Sequence, residues 1–324
     1  MRAMLVAVVL ALLAGSATAQ TYLDRAYPDR PVRVIAPFPP GGGVDLMTRF
    51  TADILSRTFG QQFYVDNRPG AGANLGADML AKSPPDGYTL GTMTIGTHGI
   101  NPTLYRNIPF DPIKDFSPIT MLVIQPNIMV VPPALGVSSV QEFIALAKAK
   151  PGKLNAGSSG NGTSLHMSAE MFKQMTGVDI VHIPYKGAGL AIPDLIANQI
   201  QVMFNNLPSV MPHVRSGKLR ALGVTELQRW PELPDVPTLD EAGVKGFDVS
   251  SWYALMGPAN LPRDKVMALN RAVVQGLEAP DIRARLIEMG TRPATGTPEA
   301  LAAHVSAEIA RWAPVVKATG LKID

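Results

Sequence analysis

The chain has 324 residues, 46% of them hydrophobic and 17% charged, with a formal net charge of +3 and no cysteine. That length holds about two domains and that composition is globular. The absence of cysteine excludes disulfides and thiolate metal sites, and the scattered Lys and Arg form no run suited to nucleic acid or a membrane surface.

Residues 1–19 read as a secretory signal peptide. Arg2 supplies the positive end, residues 4–13 the apolar core, and Ala17, Thr18 and Ala19 the small-residue cleavage site. The apolar run is too short for a membrane span. The mature protein is therefore expected to be exported, with a bacterial periplasm as the fitting compartment.

The stretch 32–45 organises the rest of the chain. A β-branched run (Val32, Val34, Ile35) breaks at Pro37, Pro39 and Pro40, passes through Gly41, Gly42 and Gly43, and enters a helical pattern over 44–59 closed by Gly60. Strand, glycine turn and helix together aim unpaired backbone N–H groups at an anion. A plain turn is the alternative, although three adjacent glycines exceed what a tight turn needs. Asp45 either orients this loop or is a favourable charge in a first helical turn.

Strand and helix signals then alternate. Strands are expected at 63–65 and 88–93, with a glycine-rich loop (67–76), a short helix (77–82) and a turn (84–87) between them. A polar loop follows at 94–102, containing Thr97, His98 and Asn101. This alternation predicts a parallel sheet wrapped by helices, with ligands beyond the carboxyl ends of its strands. Apolar runs at 119–124 and 128–131 read as a strand crossing into a second unit of the same design. Ser139 and Glu142 have capping-box spacing for a helix to about 148. Strands are expected at 153–156, 180–183, 200–204 and 219–224. Two more polar glycine loops appear, at 157–164 and 184–189, and Asn205 and Asn206 make a further polar strand end. A strand at 247–255 returns the chain to the first unit, and helices at 262–277, 281–288 and from Thr297 onward complete it.

Several motifs fail. Gly70, Gly72 and Gly76 miss the dinucleotide spacing by one residue, no phosphate-loop sequence occurs, and residues 157–160 lack nucleophile-elbow spacing. The five histidines include no pair at metal-ligand spacing on a helix. His98, His166 and His182 each have a packing or capping role as the alternative. Thr163, Ser164 and Asn206 have helix capping as theirs. The loops that remain offer amides, hydroxyls and one lysine, a chemistry suited to carboxylates and without an evident nucleophile and base.

At these loops the chain resembles the periplasmic substrate-binding proteins of tripartite tricarboxylate transporters, the Bug or TctC family. The matching stretches are 27–33, 37–45, 65–72, 85–90, 100–105, 157–163, 184–187 and 217–225. The resemblance implies an α/β periplasmic binding protein of the Venus flytrap, type II-like architecture, each lobe a helix-flanked, mainly parallel sheet. It implies lobes of 27–124 plus 253–324 and of 125–252, hinged near 122–131 and 249–256. It also implies a monomer that captures a small organic carboxylate (a di- or tricarboxylate or aromatic acid) and delivers it to membrane permease subunits, with no cofactor, metal or nucleic acid. The ligand-binding positions it points to are Phe38, Pro40, Gly41, Gly42, Gly43, Asp45, Thr97, His98, Ser158, Ser159, Asn161, Thr163, Ser164, Tyr185, Lys186, Gly187 and Asn205. Many relatives carry an Asp-Asn pair where this chain has Asn205-Asn206, so preference for carboxylates without an α-amino group is expected. The alternatives are a secreted serine hydrolase using Ser158 or Ser159 with His98 or His166, and a sensor for a signalling partner.

Overall fold

The structure, a computed structural model, describes residues 27–324, so the expected signal peptide lies outside the described residues. The first unit opens with β1 (Val32–Ala36), α1 (Gly43–Phe59), β2 (Phe63–Asn67), α2 (Asn74–Ala81) and β3 (Thr89–Thr94). β1 lies parallel between β2 and β3. Helix α1 ends as its sequence predicts, with Gly60 left-handed at φ 67° and its N–H on the Ser56 carbonyl. A π-helical turn at Gly96–Ile100 and a short helix, α3 (Asn101–Leu104), follow β3.

The two apolar runs at 119–124 and 128–131 form one continuous strand, β4 (Phe116–Val131), of sixteen residues. Gln125, Pro126 and Asn127 do not break it because they mark a change of partner. Up to Pro126, β4 pairs antiparallel with β9 (Ser250–Pro258), and from Asn127 it pairs with β7 (Val202–Asn206). β8 (Arg220–Val224) pairs the same half of β4, starting at Ile128. A proline, which cannot donate to a ladder, thus sits where the ladder passes from one lobe to the other.

The second unit contains α4 (Val140–Ala149), β5 (Asn155–Ser158), α5 (Ser164–Thr176), β6 (Val181–Pro184), α6 (Ala188–Ile196), β7, α7 (Leu207–Arg215) and β8. β5 lies parallel between β6 and β7. The chain returns through β9 and finishes with α8 (Arg263–Glu278), α9 (Pro280–Glu288), β10 (Arg292–Pro293) and α10 (Pro298–Ala318). The strand order is β2-β1-β3-β9-β4-β7-β5-β6, with β8 and β10 both on β4. Each lobe is therefore a helix-flanked sheet with parallel outer strands, and antiparallel strands join the two, the two-lobed architecture expected.

Some boundaries move. The strand expected at 153–156 forms at Asn155–Ser158, and the one expected at 247–255 forms at Ser250–Pro258. Phe247 and Val249 are fully buried, but they serve the core while pairing begins only where Ser250 opposes Pro126. The expected capping box is half formed: the Ser139 hydroxyl accepts the Glu142 N–H, while the Glu142 carboxylate reaches back to the Ser138 N–H. The first lobe packs Val32, Leu55, Leu90, Leu122, Leu255 and Leu269 together; the second packs Ile128, Ile192, Leu207, Val210 and Val224.

Asn127 fastens the crossing. Its side chain donates to the Ser168 hydroxyl (3.0 Å) and accepts from Asn206 (2.7 Å), and its N–H meets the Thr225 hydroxyl at 2.9 Å. It is fully buried. Asn127→Ala leaves Ser168 and Asn206 short of a partner and is expected to cost about 1–3 kcal/mol in urea unfolding. A change within about 0.5 kcal/mol, typical of a surface site, would contradict this role.

Candidate functional site

A cavity of about 650 Å³ lies between the lobes. Four helices begin at its wall. The residues that cap their N-termini, Gly42 for α1, Thr163 for α5, Gly187 for α6 and Asn206 for α7, all line it. Each helix end carries unpaired amides and about half a positive charge. Among the described residues, none of the lining side chains is an aspartate, glutamate, lysine or arginine. What the cavity offers an anion is therefore mainly backbone.

The first loop is held in shape by Asp45. Its buried carboxylate accepts the Gly41 N–H (3.0 Å), the Asn67 amide (2.8 Å) and Arg49 (2.9 Å at the closer guanidinium nitrogen). Burial acts to raise this carboxyl, but the bonds from Arg49, Gly41 and Asn67 outweigh it and hold it below the usual carboxylate range. Asn67 also donates to the Phe38 carbonyl at 2.9 Å, so the loop is tied at both ends. The amide of Gly41 is consumed by Asp45. Those of Gly42 and Gly43 have no partner among the described residues and are free for a ligand. Asp45 itself does not line the cavity; it orients the loop.

The loop after β5 is held by histidines. Ser158 is fully buried, accepts the Gly160 N–H and lies 2.6 Å from His182 Nε2. His166 Nδ1 accepts the Gly162 N–H (3.2 Å), and the two imidazoles stack with centroids 4.0 Å apart. Thr163 caps α5 by accepting the His166 N–H, and its hydroxyl donates to the Gly160 carbonyl. Burial, with the neighbouring His182 and positive Lys173, lowers His166 to about 3; burial and Lys173 lower His182 to about 4. Both rings are neutral near pH 7.

The structure brings Phe38, Pro40, Gly41, Gly42, Gly43, Ser159, Thr163, Ser164 and Gly187 to the cavity wall. It does not bring the other expected residues there. Thr97 and His98 turn inward with the π-helical turn: the Thr97 hydroxyl bonds the Thr94 carbonyl, and His98 packs edge-on against Phe116 at 4.5 Å, where burial lowers it to about 3. Ser158 and Asn161 form the loop without facing the cavity. The Tyr185 hydroxyl is drawn to Asp194 (2.6 Å), and Lys186 is exposed outside it. Asn205 is fully buried on the opposite face of β7 from Asn206, since neighbouring strand residues alternate sides. The cavity position of that pair belongs to Asn206, so Asn205 is not placed to meet a ligand ammonium.

Sequence reasoning missed Thr94, Ser209, His213, Ser251 and Tyr253, which also line the wall. The spacing Asn206, Ser209, His213 was visible as one face of a helix. Tyr253 was not, because it arrives on the returning strand β9. Its hydroxyl donates to Asn206 Oδ1 at 2.9 Å, and burial pushes its pKa up, which keeps it a donor.

Glycines let the lobes meet. An ideal Cβ on Gly162 would overlap the Asn101 carboxamide, one on Gly72 would overlap the Asn161 carbonyl, and one on Gly187 would lie 3.0 Å from Pro39. Loops from the two lobes are thus in close contact around the cavity.

The fold and this cavity define a two-lobe binding protein. The description "Tripartite tricarboxylate transporter family receptor" belongs to the family pattern that matches residues 47–321, and the chain belongs to that family. It is 36% identical over 320 residues to protein BugT of Bordetella pertussis (98% of each chain). It is also 36% identical over 316 residues to the UPF0065 protein of the tcbD-tcbE intergenic region of Pseudomonas sp. strain P51 (97% of this chain, 93% of the relative). Among solved structures it is similar to "R. palustris Rpa4515 with adipate" (TM-score 0.90, 39% identity, 91% of this chain and 99% of that one). It is also similar to "MatC (Rpa3494) from Rhodopseudomonas palustris with bound malate" (TM-score 0.86, 33% identity, 90% and 100%).

Two outcomes are expected. Gly162 and Gly177 both have left-handed φ (75° and 69°), but a Cβ on Gly177 meets open space. Both alanine variants carry about 1 kcal/mol of backbone strain; Gly162→Ala should unfold at clearly lower urea than Gly177→Ala and show a larger radius of gyration by X-ray scattering. Equal effects would contradict the lobe contact. Second, the depressed histidines bind protons more readily unfolded, where their pKa is about 6.5. Their contribution to stability is complete above that pH and is lost as the pH falls through about 4 and 3. The urea midpoint should fall between pH 7 and pH 5, and less steeply in His182→Asn.

Proposed function

We propose that this protein is an exported receptor that captures a small organic carboxylate between its lobes and delivers it to inner-membrane permease subunits. The observation that carries this reading is the convergence of four helix N-termini on a cavity without charged side chains. Such a cavity attracts one carboxylate group through amides and hydroxyls and, among the described residues, presents no negative side chain to repel it. The relatives described with adipate and malate support the ligand class. Closure of the lobes on the ligand exchanges water for backbone hydrogen bonds and biases the closed state.

Residues 1–19 serve as a cleavable export signal, the mature chain works in the periplasm as a monomer, and among the described residues no helix is long and apolar enough to cross a membrane. The division into 27–124 plus 253–324 and 125–252 is supported by the exchange of β4 partners between Pro126 and Asn127. Capture and delivery involve no catalytic step. Against the hydrolase alternative, Ser158 is buried away from the cavity and meets His182, not His98 or His166, and Ser159, on the cavity wall, has no histidine partner among the described residues.

The test is a thermal-shift screen of ligand-stripped mature protein against mono-, di- and tricarboxylates, aromatic acids and amino acids. A ligand at a hundred times its dissociation constant adds about 2.7 kcal/mol. A clear shift with a carboxylate is expected; no shift with any of them would overturn the reading.

A further inference from the structure

One side chain on the cavity wall differs in kind from its neighbours. His213 is the only side chain lining it, among the described residues, that can carry a positive charge. Its carbonyl takes the Leu219 N–H and the Ser216 hydroxyl, and its imidazole has no hydrogen-bond partner among the described residues. No hydrogen bond within the protein therefore gives this half-buried ring a duty.

Its position on α7 gives it one. Asn206, Ser209 and His213 lie three and four residues apart, so they share one face of the helix. Ser209 stands where the lobes meet. Its hydroxyl lies 3.4 Å from where a side chain on Gly43 would begin, and it is buried without a partner among the described residues. Gly43 is the first residue of α1, so an anion held by that helix end also meets Ser209. His213 is one turn further on, about 6 Å along the axis. The wall shared with this turn is apolar, with Ile192, Pro193 and Ile196 from α6 and Leu165 from α5. The cavity is polar at the α1 end, apolar along α6, and holds a free imidazole one turn away.

We propose that His213 binds the distal carboxylate of an α,ω-dicarboxylate whose unsubstituted apolar spacer lies along α6. This rests on the carboxylate reading of the cavity. A ring N–H of His213 donates to a carboxylate oxygen in either tautomer, and a charged ring strengthens the bond. A monocarboxylate of equal length leaves the imidazole unmatched. A spacer bearing a hydroxyl and a third carboxylate, as in citrate, sets both against an apolar wall without partners, which is unfavourable.

Calorimetric titrations of the ligand-stripped protein and of His213→Leu and His213→Gln test this, with adipate, hexanoate and citrate as probes. The wild-type protein is expected to bind adipate at least tenfold more tightly than hexanoate, and more tightly than citrate. In His213→Leu the adipate-to-hexanoate ratio falls close to one while hexanoate affinity is kept. In His213→Gln, where a carboxamide N–H still donates, part of the ratio returns. An unchanged ratio in His213→Leu, an equal loss of both ligands, or wild-type protein that binds hexanoate as well as adipate would overturn the role of His213 and leave the carboxylate reading standing. Failure of every anion to bind wild-type protein would overturn both.

Discussion

The structure depends on one strand that belongs to two sheets. Along β4 the ladder runs first with β9, joined by β10 at Val123 and Ile124, and then with β7 and β8 on its two sides. The strand is buried over nearly its whole length, which is why its sequence is apolar almost throughout. Two of its four polar residues, Gln125 and Asn127, flank the exchange of partners, where Asn127 is bound to Ser168, Asn206 and Thr225. With β9 running back beside it, β4 joins the lobes by hydrogen-bonded extended chain. Under the proposed function this joint is where the lobes would hinge as bodies while each core stays packed.

The cavity follows from that arrangement. Each lobe turns the carboxyl ends of its parallel strands toward the joint, and the helices that follow those strands begin there. In the function proposed, anion affinity comes from peptide dipoles fixed by the fold. A buried lysine or arginine would cost several kcal/mol to desolvate before a ligand arrived, while helix amides are already unpaired. The charged residues near the site act one step back: Asp45 and Arg49 fix the loop that presents Gly42 and Gly43. The histidines do the same for the loop after β5 while remaining uncharged.

The order of strands and helices and the identity of the loops beyond the strand ends were legible in the sequence, because period, glycine turns and caps are local signals. So were Gly42, Gly43, Ser159 and Thr163 as residues of the cavity wall. The direction of single side chains was not. Thr97 and His98 sit in a polar stretch that reads as an exposed loop, yet a π-helical turn rolls them into a core beside Phe110 and Phe116. Asn205 and Asn206 are equivalent by composition, and strand alternation separates them. Asp45 had two readings open, and its bond to the Gly41 amide decides between them.

The sequence by itself determined the α/β alternation, the crossing strand and the loops able to receive an anion, since each rests on residues within a few positions of one another. Only the tertiary structure decided which groups share a wall. Tyr253 meets Asn206 across 47 residues of chain, and Gly162 meets Asn101 across the two lobes. Those meetings depend on how two sheets are joined at β4. No local pattern encodes them, because their energy is realised only when both lobes are in place.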